Sequence, residues 1–181
     1  SMRPRRLPLD AYTYDLAPAP DDRELLFSFS HGMGLGSEMW SARTNGSNAH
    51  VLHADAGSIL AFARWSPDGE SIAFIKIPDS QVPYTQGELW VMEADGGNSR
   101  RLAAADAGHG YAAAWSPDGR QLAFVVRQNP EEPRADRSLE ALVSDIFIVE
   151  PASGALRQVT ALGRGRAGTP VWSPDGNTLS F

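Results

Sequence analysis

The pentapeptide Trp-Ser-Pro-Asp-Gly occurs three times in this chain, at Trp65–Gly69, Trp115–Gly119 and Trp172–Gly176. Pro67 and Pro117 lie 50 residues apart, and Pro117 and Pro174 lie 57 apart. A degenerate copy, APAPDDRELLFSF, aligns Pro20-Asp21 with Pro67-Asp68, 47 residues earlier. Self-similarity at a period near 50 residues marks a repeat architecture, in which each unit buries its apolar surface on its neighbours.

Each residue of the pentapeptide has a role in a turn. Serine opens it, and Pro67, Pro117 and Pro174 preset φ at the next position. Asp68, Asp118 and Asp175 offer a carboxylate to nearby backbone N–H groups. Gly69, Gly119 and Gly176 take the left-handed conformation that turns the chain back. The preceding Trp65, Trp115 and Trp172 are large and apolar, suited to packing one sheet on the next. A repeated Asp is explained by the turn, without a metal.

The rest of each unit reads as strands. An apolar run follows the turn: Leu25-Leu26-Phe27, Ile72-Ala73-Phe74, Leu122-Ala123-Phe124 and Leu179-Ser180-Phe181. A run with an aromatic comes next (EMWSA, ELWVM, DIFIV), then Asn45-Gly46, Asp95-Gly96 or Ser153-Gly154, read as two-residue hairpin turns. A short run and a segment leading to the next Trp complete four antiparallel strands, A to D. The 17 Gly and 13 Pro suit this turn-rich pattern.

The motif WSPDG-x-x-[IL]-A-F, followed by LWVMEADGGNSRRL at 89–102, resembles the WD40-like repeat of the TolB-type β-propellers, over about Arg5 to Phe181. The resemblance implies an all-β fold, a β-propeller of four-stranded antiparallel blades with about three full blades plus a partial one. The chain then reads as a single propeller over 1–181, with units at about 12–53, 58–103, 109–160 and 168–181, and 4–8 as a lone outer strand. Pro18 stands where Trp is expected in the first unit, and Asp22 where Gly is. Related propellers serve as periplasmic scaffolds and as non-catalytic domains of prolyl-oligopeptidase-like serine peptidases, so the resemblance implies a periplasmic or other extracytoplasmic setting.

Loop spacing points to a binding face. The distance from the turn proline to the strand-C aromatic grows from 20 residues (Pro20 to Trp40) to 23 (Pro67 to Trp90) and 30 (Pro117 to Phe147). The other connections keep a nearly constant length. Repeat proteins carry insertions on the binding face, so the B–C loops and the central channel are expected to meet a protein or peptide. Candidate partner-binding residues on that face are His31, Asp79, Gln81, Tyr84, His109, Tyr111, Arg127, Arg134 and Arg137. Residues 136–142, the main recognition element of this face, read as a short helix or as a disordered charged loop, and deletion of about 130–142 is expected to leave the fold nearly intact.

Other classes fit poorly. A net charge of −6 argues against nucleic acid. No stretch is long and apolar enough to enter a membrane. The absence of cysteine excludes disulfides and thiolate metal sites. There is no G-x-S-x-G, and the four histidines do not cluster. The reading is a non-catalytic binding propeller without cofactor or metal. The alternatives are a peptidase propeller domain or a carbohydrate-acting propeller enzyme. The last repeat stops after strand B, so the chain reads as a fragment of a longer propeller that self-associates.

Overall fold

The computed structural model describes residues 12–32, 34–79, 86–106, 112–130 and 141–181. Strands β1 (Tyr12–Pro18), β2 (Glu24–Ser30), β3 (Ser37–Arg43) and β4 (His50–Asp55) form the first sheet. The second is β5 (Ser58–Trp65), β6 (Ser71–Pro78), β7 (Gly87–Glu93) and β8 (Arg100–Ala105). The third is β9 (Ala114–Trp115), β10 (Leu122–Arg127), β11 (Ser144–Val149) and β12 (Leu156–Gln158). A two-stranded sheet, β13 (Val171–Trp172) with β14 (Leu179–Ser180), follows. Strands within each sheet lie in chain order and pair antiparallel. The lone outer strand expected at 4–8 lies outside the described residues.

Each sheet is a blade, and the apolar strands explain how blades stack. Side chains alternate between the two faces of a strand. On β6, Ile72 and Phe74 pack toward blade 1, with Leu26 and Met39, while Ala73 and Ile75 pack toward blade 3, with Leu122, Phe124 and Val149. Phe74 and Phe124 are fully buried, each contributing about 1.5–3 kcal/mol. Val125, Ile146 and Ala167 form a third core, against Leu179 of the last sheet.

The first strands of successive blades touch, β1 with β5, β5 with β9 and β9 with β13. They are the inner edge from which the blades fan out. β1 and β5 each carry a bulge, with Asp15 (φ 61°) and Phe62 (φ 57°) in the left-handed region. The guanidinium of Arg64 meets Asp15 Oδ1 at 2.9 Å and ties the two inner strands together.

The repeated turn is built three times in the same way. Ser66 N donates to Ser71 O, Gly69 N to Ser66 O, and Glu70 N to Asp68 Oδ1. The serine hydroxyl adds a link that the sequence reading did not foresee. Ser66 Oγ donates to Asp68 Oδ1 (2.5 Å) and accepts from Ser71 N (2.9 Å), and Ser116–Asp118 and Ser173–Asp175 repeat the arrangement. Gly69, Gly119 and Gly176 have φ of 73°, 71° and 71°. In blade 1, Asp22 takes that place at φ 58°. Asp tolerates the conformation better than most residues.

The tryptophans join blade to blade. Trp115 Nε1 donates to Arg64 O (3.1 Å) and Trp172 Nε1 to Ala114 O (3.0 Å), in each case the residue before the previous tryptophan. Trp65 would find its partner in blade 1, where Pro18 replaces tryptophan; among the described residues its buried Nε1 has no hydrogen-bond partner.

The C–D turns differ from the two-residue hairpins read from the sequence. Such turns need positive φ at the first central residue too, or there alone. Here Gly46 and Gly96 have positive φ while Asn45 and Asp95 do not. Gly96 N donates to Glu93 O and Glu93 N to Gly97 O, a three-residue loop ending in a left-handed glycine. Asp95 Oδ1 accepts from Gly97 N (2.8 Å), which accounts for Asp before that glycine.

Candidate binding surface

The β2–β3, β6–β7 and β10–β11 loops leave the blades on one side, together with the connections between blades. The first runs from Ser30 to Gly36. Gly32, Gly34 and Gly36 have φ of 120°, 76° and 77°, and a Cβ on Gly36 would collide with the carbonyl oxygen of Asp55. Glycine is therefore required there for both space and conformation.

Asp79, just after β6, reaches across to this loop. Its Oδ1 accepts from Gly34 N (2.9 Å) and its Oδ2 from Gly36 N (2.8 Å). Asp79 N donates to Gly57 O (3.0 Å), which fixes the base of its own loop. One carboxylate thus staples the loop of blade 1 to that of blade 2 through two charge-assisted bonds.

His31, half exposed, stands its ring edge-on to Phe29 (4.9 Å between centroids), with Nε2 3.4 Å from Glu38 Oε1. Glu38 Oε2 accepts from Trp40 Nε1 (2.7 Å), and Glu88 repeats this with Trp90 (2.9 Å). Arg127 is buried at 2% exposure, and its Nε donates to Asn129 O (3.2 Å). Gln81, Tyr84, His109, Tyr111, Arg134 and Arg137 lie outside the described residues, as do residues 136–140 of the expected helix.

The base of the third loop is clamped. Asn129 Nδ2 donates to Ala141 O (2.8 Å), its Oδ1 accepts from Val143 N (2.9 Å), and Leu142 is fully buried. The segment expected to be dispensable, 130–142, therefore includes a core side chain. A deletion that spares the core therefore has to stop before Ala141.

A polar cluster beside these loops has no sequence motif. Lys76 Nζ lies 2.6 Å from Asp55 Oδ2 and 4.8 Å from the centre of the Trp90 ring. Burial pushes the Asp55 carboxyl up, but the hydrogen bonds and charge of Lys76, with bonds from Gly57 and Ser58, leave it below its ordinary value. His53 packs on Phe74 (5.7 Å), and its pKa is lowered, chiefly by burial. A hollow of about 240 Å³ lies alongside, lined by Ser58, Lys76, Glu88 and Arg101. Among the described residues, no three or more His, Asp or Glu side chains are grouped to hold a metal. These partners come together only because β4 and β6 belong to neighbouring blades.

Solved structures share the blade fold. TolB from Acinetobacter baumannii superposes with a TM-score of 0.66 and 18% identity, over 93% of this chain and 37% of that one. The chain folds as TolB-like β-propeller blades. The β-propeller domain of the Trilobed protease from Pyrococcus furiosus gives a TM-score of 0.62 and 15% identity, over 91% of this chain and 46% of that one. An oligogalacturonate lyase in complex with manganese gives 0.63 and 15%, over 93% and 44%. The chain thus spans between a third and a half of the length of these propellers. No family model matches the sequence, and no curated protein sequence matches it. Across these structures one blade architecture accompanies different activities, so the fold by itself carries no chemistry.

Proposed function

We propose that this propeller is a non-catalytic binding module, with the B–C loop face and central channel receiving a protein or peptide. The observation that supports this most is the Asp79 staple. It ties the loop of blade 1 to the end of β6 in blade 2, and such preorganisation lowers the entropic cost of binding. Length variation confined to these loops supports the same face. The resemblance to TolB supports an extracytoplasmic setting. Selection from a displayed peptide library is the test. Enriched peptides should bind the native chain and lose affinity to Asp79→Ala. Failure to enrich any peptide, or turnover of a peptide or oligogalacturonate substrate abolished by one loop substitution, sinks the reading.

A second reading is favoured by the likeness to the Trilobed protease propeller. Here the chain is the propeller part of a serine peptidase and gates access to a catalytic domain. A G-x-S-x-G followed by Asp and His in the gene downstream decides for it.

A further inference from the structure

The opposite side of the blades, formed by the A–B and C–D turns, has a different character. The turns at 19–23, 66–70, 116–121 and 173–178, with those at 44–49, 94–99 and 150–155, hold eight carboxylates against two cations, Arg23 and Arg120. Their balance of −6 equals the net charge of the whole chain. The turns also lie against one another. Pro67 Cδ is 3.7 Å from the position of a Cβ on Gly119, and Pro117 Cδ is 3.7 Å from that on Gly176. Asp68, Asp118 and Asp175 thereby follow one another along an arc of turns, with Arg120 beside Asp118. Hydrogen bonds from the neighbouring serine hydroxyls and then from backbone N–H groups hold all three carboxyls below their ordinary value, so they stay charged.

Next to the acidic arc lies an apolar groove of about 490 Å³ along the inner strands, walled by Trp65, Trp115, Val171 and Trp172 and reaching Pro67, Pro117 and Pro174 of the turns. Val171 is 59% exposed within it. On the far side of Trp65, a cleft of about 880 Å³ is bordered by Asp21, Asp22, Glu24 and Asp68, which outnumber Arg23 and Arg43 there. Apolar floor and anionic rim lie side by side.

We propose that this turn face docks an extended basic peptide segment, with its apolar side chains in the groove between Trp65 and Trp172 and its lysine or arginine side chains over Asp68, Asp118 and Asp175. The groove shares the inner strands with the channel but opens toward the turns, and Asp79, on the loop face, takes no part in it. Aromatic and proline walls suit an extended chain, and charge complementarity selects its sign.

Fluorescence anisotropy with a labelled peptide alternating arginine with leucine and proline tests this, beside the same peptide with glutamate for arginine. The basic peptide is expected to bind, more weakly at ~0.15 M salt than at low salt, and the acidic one is not. Val171→Arg, on an exposed position, should weaken binding at least about tenfold. So should the triple variant Asp68→Asn, Asp118→Asn, Asp175→Asn, in which the amide oxygen still accepts the serine hydroxyl and backbone N–H. If that triple variant melts early, Val171→Arg alone decides. Asp79→Ala should leave this binding unchanged, so failure here is distinguishable from failure of the loop-face reading. Equal binding of the acidic peptide, no binding at low salt, or full affinity in folded Val171→Arg would overturn the proposal.

Discussion

Trp115 Nε1 donates to the carbonyl oxygen of Arg64 at 3.1 Å, so the tryptophan of one blade is fastened to the inner strand of the blade before it. The indole fills the space between sheets while its one polar group is satisfied by a neighbour 51 residues earlier in the chain. Trp115→Ala should therefore cost about 3–5 kcal/mol through the cavity it leaves. Trp115→Phe should cost less, since it keeps most of the apolar body and loses the bond, worth about 0.5–1.5 kcal/mol. Deletion of 131–140, which spares the Asn129 clamp and Leu142, should leave the melting temperature nearly unchanged. Comparable losses for the deletion and for Trp115→Ala would contradict this division between loop and core.

Removing the staple should loosen a surface without unfolding the blades. Asp79→Ala takes away the acceptor of Gly34 N and Gly36 N, at a cost of about 1–3 kcal/mol for two part-exposed bonds to a carboxylate. Hydrogen exchange should show faster exchange of these two amides, with protection in β6 and β10 retained. Unaltered exchange at Gly34 and Gly36 would mean that the loops are held by other contacts.

His53 gives stability a pH dependence near neutrality. Its folded pKa lies below 6.5, mainly because burial disfavours the charged ring. As pH falls through the unfolded value of ~6.5, the unfolded chain takes up the proton first and stability drops, until the folded ring also protonates. Thermal melts from neutral pH down to about 5 should show this slope. His53→Gln should flatten it, and an equal slope in that variant would remove His53 as the cause.

The turn aspartates act in the same direction at lower pH, here because the fold favours the charged form. Asp68, Asp118 and Asp175 are held below the usual carboxylate range, first by the serine hydroxyl and then by a backbone N–H. The stability they give is present above the unfolded value of ~3.9 and is lost as pH falls through the lower folded values. Ser66→Ala should melt earlier than the native chain at neutral pH and lose less on acidification, because its Asp68 carboxyl moves toward the unfolded value and the difference that drives the acid loss shrinks. An acid loss as large as in the native chain would remove this bond as its cause.

The sequence by itself determined what is local or periodic. The Ser-Pro-Asp-Gly chemistry specifies a turn from adjacent residues, alternating apolar runs specify strands, and a period near 50 residues makes those strands into repeated blades. It did not show the Ser66 Oγ to Asp68 Oδ1 bond or the bulge at Phe62, although the Ser-x-Asp spacing carried the signal for the first. Only the tertiary structure decided which side chains meet across blades. Asp79 and Arg127 read alike as polar loop residues, yet one reaches back 43 residues to Gly36 and the other is buried. Leu142 read as part of an excisable loop and is core. The reason is that turn and strand preferences act over a few bonds, whereas the partner of a carboxylate or the burial of a side chain depends on how neighbouring sheets stack, and that pairing is set by the summed packing of both blades.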